Sequence, residues 1–176
     1  MLLSTEGVPI VDVSARDGAP DTGVLGDPRT ILIEAKEPVQ DFLVVTTTEL
    51  TLVLPREVAG TGVTMAASVP ATTWFVGINC TVALIDWRDR RVRASVDFLG
   101  PVFSLHVVGA DEVIVVHEIG VCRLAADGRV LWSYDSSVIT EHALWAGQLH
   151  LRCEDGSSTA IDLATGHLVE RGGPPA

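Results

Sequence analysis

The sequence predicts an all-β chain built as four copies of a small antiparallel sheet in one domain. Two observations carry this. First, three stretches align without gaps at a spacing of 38 residues: Trp74 to Val92, Glu112 to Val130, and His150 to Leu168. Each reads as a short, mostly apolar run, a polar or Gly-bearing turn, a second run and a second turn. The second turn falls in step at Asp89-Arg90, Asp127-Gly128 and Thr165-Gly166. Second, the composition is 47% apolar, rich in Val and Thr with Gly and Pro between the runs, and no stretch has convincing helical periodicity.

A period of this length accommodates four short strands with their hairpin turns. Residues 1–29 stand apart. Val8–Val13 reads as a strand, followed by a polar loop from Ser14 to Arg29. The repeat domain then covers 30–171, in units of about 30–62, 63–101, 102–138 and 139–171. Ile31–Glu34, Val63–Ala67, Val102–Val108 and Ile139–Trp145 supply the first strand of each unit, ahead of its hairpin. In the first unit the hairpin is Phe42 to Leu54, and Pro55–Gly62 reads as loop in place of a full last strand. The later units end in Val92–Val96, Arg129–Trp132 and the stub Leu168–Val169, which leaves Val8–Val13 as an expected edge partner for the last unit. The tail 172–176, rich in Gly and Pro, is expected to be disordered.

The second turn carries a pattern. Ala160-Ile161-Asp162-Leu163-Ala164-Thr165-Gly166 fits A-x-D-x-x-T-G, and Gly128 followed by Trp132 fits G-x-x-x-W. Together these resemble the tryptophan-docking motif of quinoprotein-like (PQQ-type, WD40-like) β-propeller repeats. The resemblance covers roughly residues 102–171. Asp86 keeps the acid in the second unit, but Asp89-Arg90 replaces Thr-Gly and Ala94 replaces Trp. Leu124 and Glu170 likewise depart from the pattern. The resemblance implies a propeller-like array in which Gly supplies positive φ, Asp or Thr bonds nearby backbone, and Trp packs between sheets. A ring closed by four sheets is the first expectation. A half-propeller that closes as a homodimer is the second, and a β-sandwich the third.

Composition narrows function by exclusion. A net charge of −11 with one lysine, Lys36, argues against a nucleic-acid partner. The basic stretch Arg88 to Arg93 is interrupted by Asp89 and reads as a solvated hairpin tip. No apolar run is long enough for a transmembrane helix, and MLLSTEG has no signal-peptide character, so no membrane association and a cytoplasmic location are expected. Three cysteines, Cys80, Cys122 and Cys153, are no disulfide framework and suit a reducing compartment as core thiols.

Candidate site residues are few. His106, His117 and His142 lie on predicted strands of the last two units, and strand-borne imidazoles could converge on a propeller axis. They are the ligand-binding candidates. With no H-x-H or H-E-x-x-H pattern, no metal, catalytic residue or cofactor is expected. Gly156-Ser157-Ser158 lacks a nucleophile elbow, and the carboxylates, Asp111-Glu112 and Glu154-Asp155 among them, are scattered at turns without calcium-loop spacing. The quinone cofactor does not carry over, because the chain has no adjacent cysteines and too few units to form that channel. Trp74, Trp87, Trp132 and Trp145 are expected to pack between sheets. The reading is a non-catalytic binding or scaffold module with a protein or small-ligand partner. Its alternatives are a small hydrolase or lyase with a central funnel site around the histidines, and an assembly module acting through open sheet edges.

Overall fold

The computed structural model describes residues 3–6, 10–16, 22–57, 62–68 and 72–169. They form four small sheets, antiparallel but for two short parallel pairings. Sixteen strands follow in chain order: β1 (Leu3–Glu6), β2 (Ile10–Arg16), β3 (Thr30–Leu32), β4 (Asp41–Thr47), β5 (Thr51–Arg56), β6 (Val63–Ser68), β7 (Thr73–Ile78), β8 (Thr81–Asp86), β9 (Arg91–Asp97), β10 (Val102–Val108), β11 (Glu112–His117), β12 (Gly120–Ala125), β13 (Val130–Asp135), β14 (Ile139–Trp145), β15 (Gln148–Cys153) and β16 (Ser158–Asp162). A single-turn helix, α1, spans Thr22–Leu25.

The first sheet runs β2-β4-β5-β3, the second β1-β6-β7-β8-β9, the third β10-β11-β12-β13 and the fourth β14-β15-β16. This corrects the expected start of the chain. Strand β2 pairs antiparallel with β4 of the first sheet, Val13 facing Val45, and so is no partner for the last unit. Ile31 does not open the first sheet either: β3 lies at its far edge, parallel to β5, with Ile31 opposite Leu52. Pro55 and Arg56 extend β5, and part of the expected loop Ser14–Arg29 is strand and helix. Strand β1, which the sequence did not suggest, pairs parallel with β6. At the other end, Leu168 contributes an isolated bridge to Ile161, so among the described residues the fourth sheet has three strands. The tail 172–176 falls outside the described residues.

Three apolar clusters hold the sheets together, and each lies between consecutive sheets. Leu43, Val45, Leu52 and Leu54 of the first meet Met65, Trp74, Val76 and Ile85 of the second. Phe75, Val82 and Leu84 of the second meet Leu105, Val113, Val115 and Leu124 of the third. Ile114, Val116 and Val121 of the third meet Leu149, Leu151, Cys153 and Ile161 of the fourth. A strand with a sheet on either side reads as an unbroken apolar run. Accordingly β11 is buried at every position from Val113 to Val116. In β15 Leu149, Leu151 and Cys153 are buried, while His150 and Arg152 on the opposite face are not. The expected self-closed ring is therefore absent from the described residues, because the far face of the fourth sheet is open. Trp145, expected to pack between sheets, is 72% exposed there.

The repeated turn explains how neighbouring sheets lock. In the fourth sheet Asp162 Oδ1 accepts from the N–H groups of Ala164 (3.1 Å) and Thr165 (2.8 Å) and from Thr165 Oγ1 (2.8 Å). That closes the turn and leaves Gly166 at φ +74. Trp132 of the third sheet lies flat against this glycine, so a Cβ added there would sit 2.6 Å from two ring carbons. One period earlier Gly128 has φ +87 and meets Ala94 in place of Trp. Two periods earlier Arg90 occupies the same position at φ +54, although Asp86 still caps the turn by accepting from Arg88 and Asp89 N–H at 3.0 Å each.

Two substitutions test this account. Gly166→Ala should destabilise the chain by about 2 kcal/mol or more, since it combines left-handed strain with a steric clash against Trp132. Arg90→Gly should stabilise by up to about 1 kcal/mol, as relief of the same strain outweighs the added chain entropy. Urea unfolding of both variants checks the opposite signs.

Candidate functional site

Two of the three histidine candidates converge. Strand β10 alternates, and its residues Ser104 and His106 are cross-strand partners of Val116 and Ile114, which both point toward the fourth sheet. On β14, His142 is opposite Leu151, whose side chain points back toward the third sheet. The three polar residues thus meet at the seam between sheets. Ser104 Oγ lies 2.8 Å from His142 Nε2 and 3.1 Å from His106 Nε2, and the two imidazole rings are 6.0 Å apart, edge to face. A hydroxyl has one proton to give, so at least one of the rings must carry its proton on Nε2 and donate to Ser104.

Burial disfavours charge on these rings. Desolvation lowers the pKa of His142, and it lowers that of His106 together with the repulsion from His142. Burial thus favours the neutral form of both rings. Ser104 is only 8% exposed, and its hydroxyl is shared between two imidazoles, which is a poor setting for a nucleophile that substrate must reach.

His117 does not join them. It sits at the end of β11 opposite Val102, on the order of 10 Å along β10 from His106. Its ring stacks at a tilt on Phe98, with centroids 4.8 Å apart, and lies over Gly120. Its Nδ1 is buried without a partner among the described residues, and desolvation lowers its pKa against the opposing pull of Asp135. The cysteines are free thiols. Burial pushes Cys122 up to about 12, and Cys80 is raised by burial and by Glu57, so neither is an activated nucleophile. No group of three or more His, Cys, Asp or Glu side chains converges among the described residues.

A second feature is the open face of the fourth sheet. Trp145, His150, Gln148, Arg152, Ser158 and Glu141 line a depression of about 600 Å³. Trp145 and His150 rings lie 6.0 Å apart, and Arg152 Nη1 is 3.7 Å from Glu141 Oε2. No sequence motif marked this face, and the only available signal was the short last unit, with the stub Leu168–Val169 in place of a full last strand. Among the described residues no helix is long and apolar enough to cross a membrane.

No protein-family model matches this chain, and no curated protein matches it in sequence. Solved structures do resemble it. The computationally designed Ika4 protein is similar at a TM-score of 0.50, with 19% identity, over 65% of this chain and 74% of that one. The designed Ika8 protein is similar at 0.50, with 18% identity, over 73% and 45%. BamB from Moraxella catarrhalis, a β-propeller protein, is similar at 0.52, with 17% identity, over 91% and 51%. The chain spans about half of BamB. At these identities the likeness is one of fold: a propeller-like succession of small sheets.

The histidine seam gives a pH prediction. A base whose folded pKa lies below its unfolded value contributes nothing while both states are neutral. As pH falls through the unfolded value, about 6.5, the unfolded chain takes up protons that the folded chain resists, and stability drops. The chain should therefore lose stability between pH 7 and pH 5, ahead of the loss at lower pH when Asp86, Asp97 and Asp162 protonate. His142→Gln should flatten the upper part of that profile, as followed by thermal melts across pH.

Proposed function

We propose that this chain is a non-catalytic binding and scaffold module of the β-propeller type, and that its contact surface is the far face of the fourth sheet. One observation carries the reading: β15 buries one face and leaves the other open, with Trp145 72% exposed beside Arg152 and Glu141. A large aromatic flanked by paired charges is the composition of a protein-binding patch. The partner in this reading is a protein, in a reducing cytoplasmic setting that suits three free thiols. The buried Ser104 and the raised thiols are arguments against the hydrolase or lyase alternative.

Among protein partners we favour a second copy. The first sheet is covered on both faces, since Val44 and Val53 are buried on the side opposite Val45 and Leu52. Two copies would therefore meet through their fourth sheets about a two-fold axis, where Glu141 and Arg152 of each copy can face their counterparts. With a net charge of −11 per chain the copies repel, so association rests on apolar contact and salt should strengthen it.

Light scattering at increasing concentration should give the mass of a dimer, with the dimer fraction rising between low and moderate NaCl. Trp145→Arg should return the chain to a monomer with an unchanged melting profile. A monomer under all conditions would exclude the second copy. A dimer indifferent to Trp145→Arg would exclude this face.

A further inference from the structure

We propose that Ser104, His106 and His142 form a binding site for an imidazole-preferring transition-metal dication of the Zn²⁺ class, at the seam between the third and fourth sheets. The geometry comes first. Both Nε2 atoms approach one oxygen, at 2.8 and 3.1 Å, so they lie within roughly 6 Å of each other. Two imidazoles on a tetrahedral Zn²⁺, at about 2.0–2.1 Å each, place their nitrogens about 3.3 Å apart. The rings are half-buried, one on each of two strands, and small χ rotations bring the nitrogens from the hydroxyl to a shared ion.

The donor chemistry selects the ion. Neutral nitrogen ligands with a hydroxyl suit Zn²⁺, Ni²⁺ or Cu²⁺ and reject Mg²⁺ and Ca²⁺, which need several carboxylate or carbonyl oxygens. The one imidazole that donates to Ser104 must move its proton from Nε2 to Nδ1 or release it, and Ser104 becomes a third ligand or the hydrogen-bond partner of a bound water. With two imidazoles and, among the described residues, no third side chain of the His, Cys, Asp or Glu type converging on them, the site is an exchangeable one. The negative net charge of the chain favours approach of a dication.

The site joins two sheets, and that sets its consequence. Metal here ties β10 to β14 and stabilises the attachment of the last sheet in proportion to occupancy. It lies within one chain and does not depend on whether a second copy binds the far face.

The test is calorimetric titration of the chelator-treated full chain with ZnCl₂, with MgCl₂ and CaCl₂ as controls. The expected result is one equivalent of Zn²⁺ bound, no heat from Mg²⁺ or Ca²⁺, and a rise in melting temperature with Zn²⁺. His106→Gln and His142→Gln should each weaken binding by about tenfold or more, and His167→Gln should leave it unchanged. Should either variant melt early, protection of His106 and His142 from diethyl pyrocarbonate by Zn²⁺ in the unmodified chain, read by mass spectrometry, gives the same answer without substitution. Absence of a Zn²⁺ isotherm, or binding that survives both variants with neither histidine protected, would overturn the proposal.

Discussion

Packing between successive sheets is the constraint on which the rest of this structure depends. Among the described residues, apart from the local handover between units, no hydrogen-bond ladder runs from one sheet to the next, so side chains must hold the array together. The middle strands show the cost in sequence: β7 and β11 have to be apolar on both faces, and they are. Polar contacts then fix the angle between sheets. Asn79 Nδ2 donates to Pro55 O of the first sheet while its Oδ1 accepts from Glu57 N–H. Ser68 Oγ donates to Ala110 O at the tip of the third sheet's first hairpin. Arg123, paired with Glu112, reaches across to Leu163 O at 2.8 Å and Ala164 O at 3.1 Å. Each contact joins one sheet to the next in order.

The same logic explains the uneven conservation of the turn pattern within the chain. The acid caps its own turn and acts locally, so Asp86 works without the glycine or tryptophan of the full pattern. In the third unit Leu124 cannot cap, and the turn instead uses Asp127 Oδ1, which accepts from Arg129 N–H at 3.0 Å. The tryptophan acts between sheets, and its value lies in the glycine it meets on the next one. Only the last pair of sheets keeps both halves, Trp132 and Gly166.

Much of this was legible from spacing. The 38-residue interval located the hairpins of the second, third and fourth sheets, because turns and alternation are local properties. The first sheet was legible only in part: its hairpin Phe42 to Leu54 corresponds to β4 and β5, but nothing local marks the pairing of its outer strands, β2 beside β4 and β3 parallel to β5. The histidine seam was half legible. His106 and His142 were visible as strand residues, but their meeting depends on a turn length. Three residues, Gly109 to Asp111, join β10 to β11, whereas two, Ala146 and Gly147, join β14 to β15. A one-residue difference reverses which face each side chain takes. His142 is thereby structurally equivalent to Leu105 rather than to Ser104, and it looks back at its neighbour. Ser104 had no motif of its own and could be found only in three dimensions.

Position in the array sets how readily each described sheet detaches. In a stack where each unit touches only its neighbours, an inner sheet is held by two interfaces and a terminal one by a single interface. Detachment of β14, β15 and β16 exposes only the third cluster, with Leu149, Leu151 and Ile161, and leaves the other two clusters whole. The amides of this segment belong to a low-energy opening unit, whereas those of β7 and β11 exchange only when the whole array yields. Among the described sheets the fourth, like the first, is held on one side only, and any contact across its seam adjusts how often it stands open.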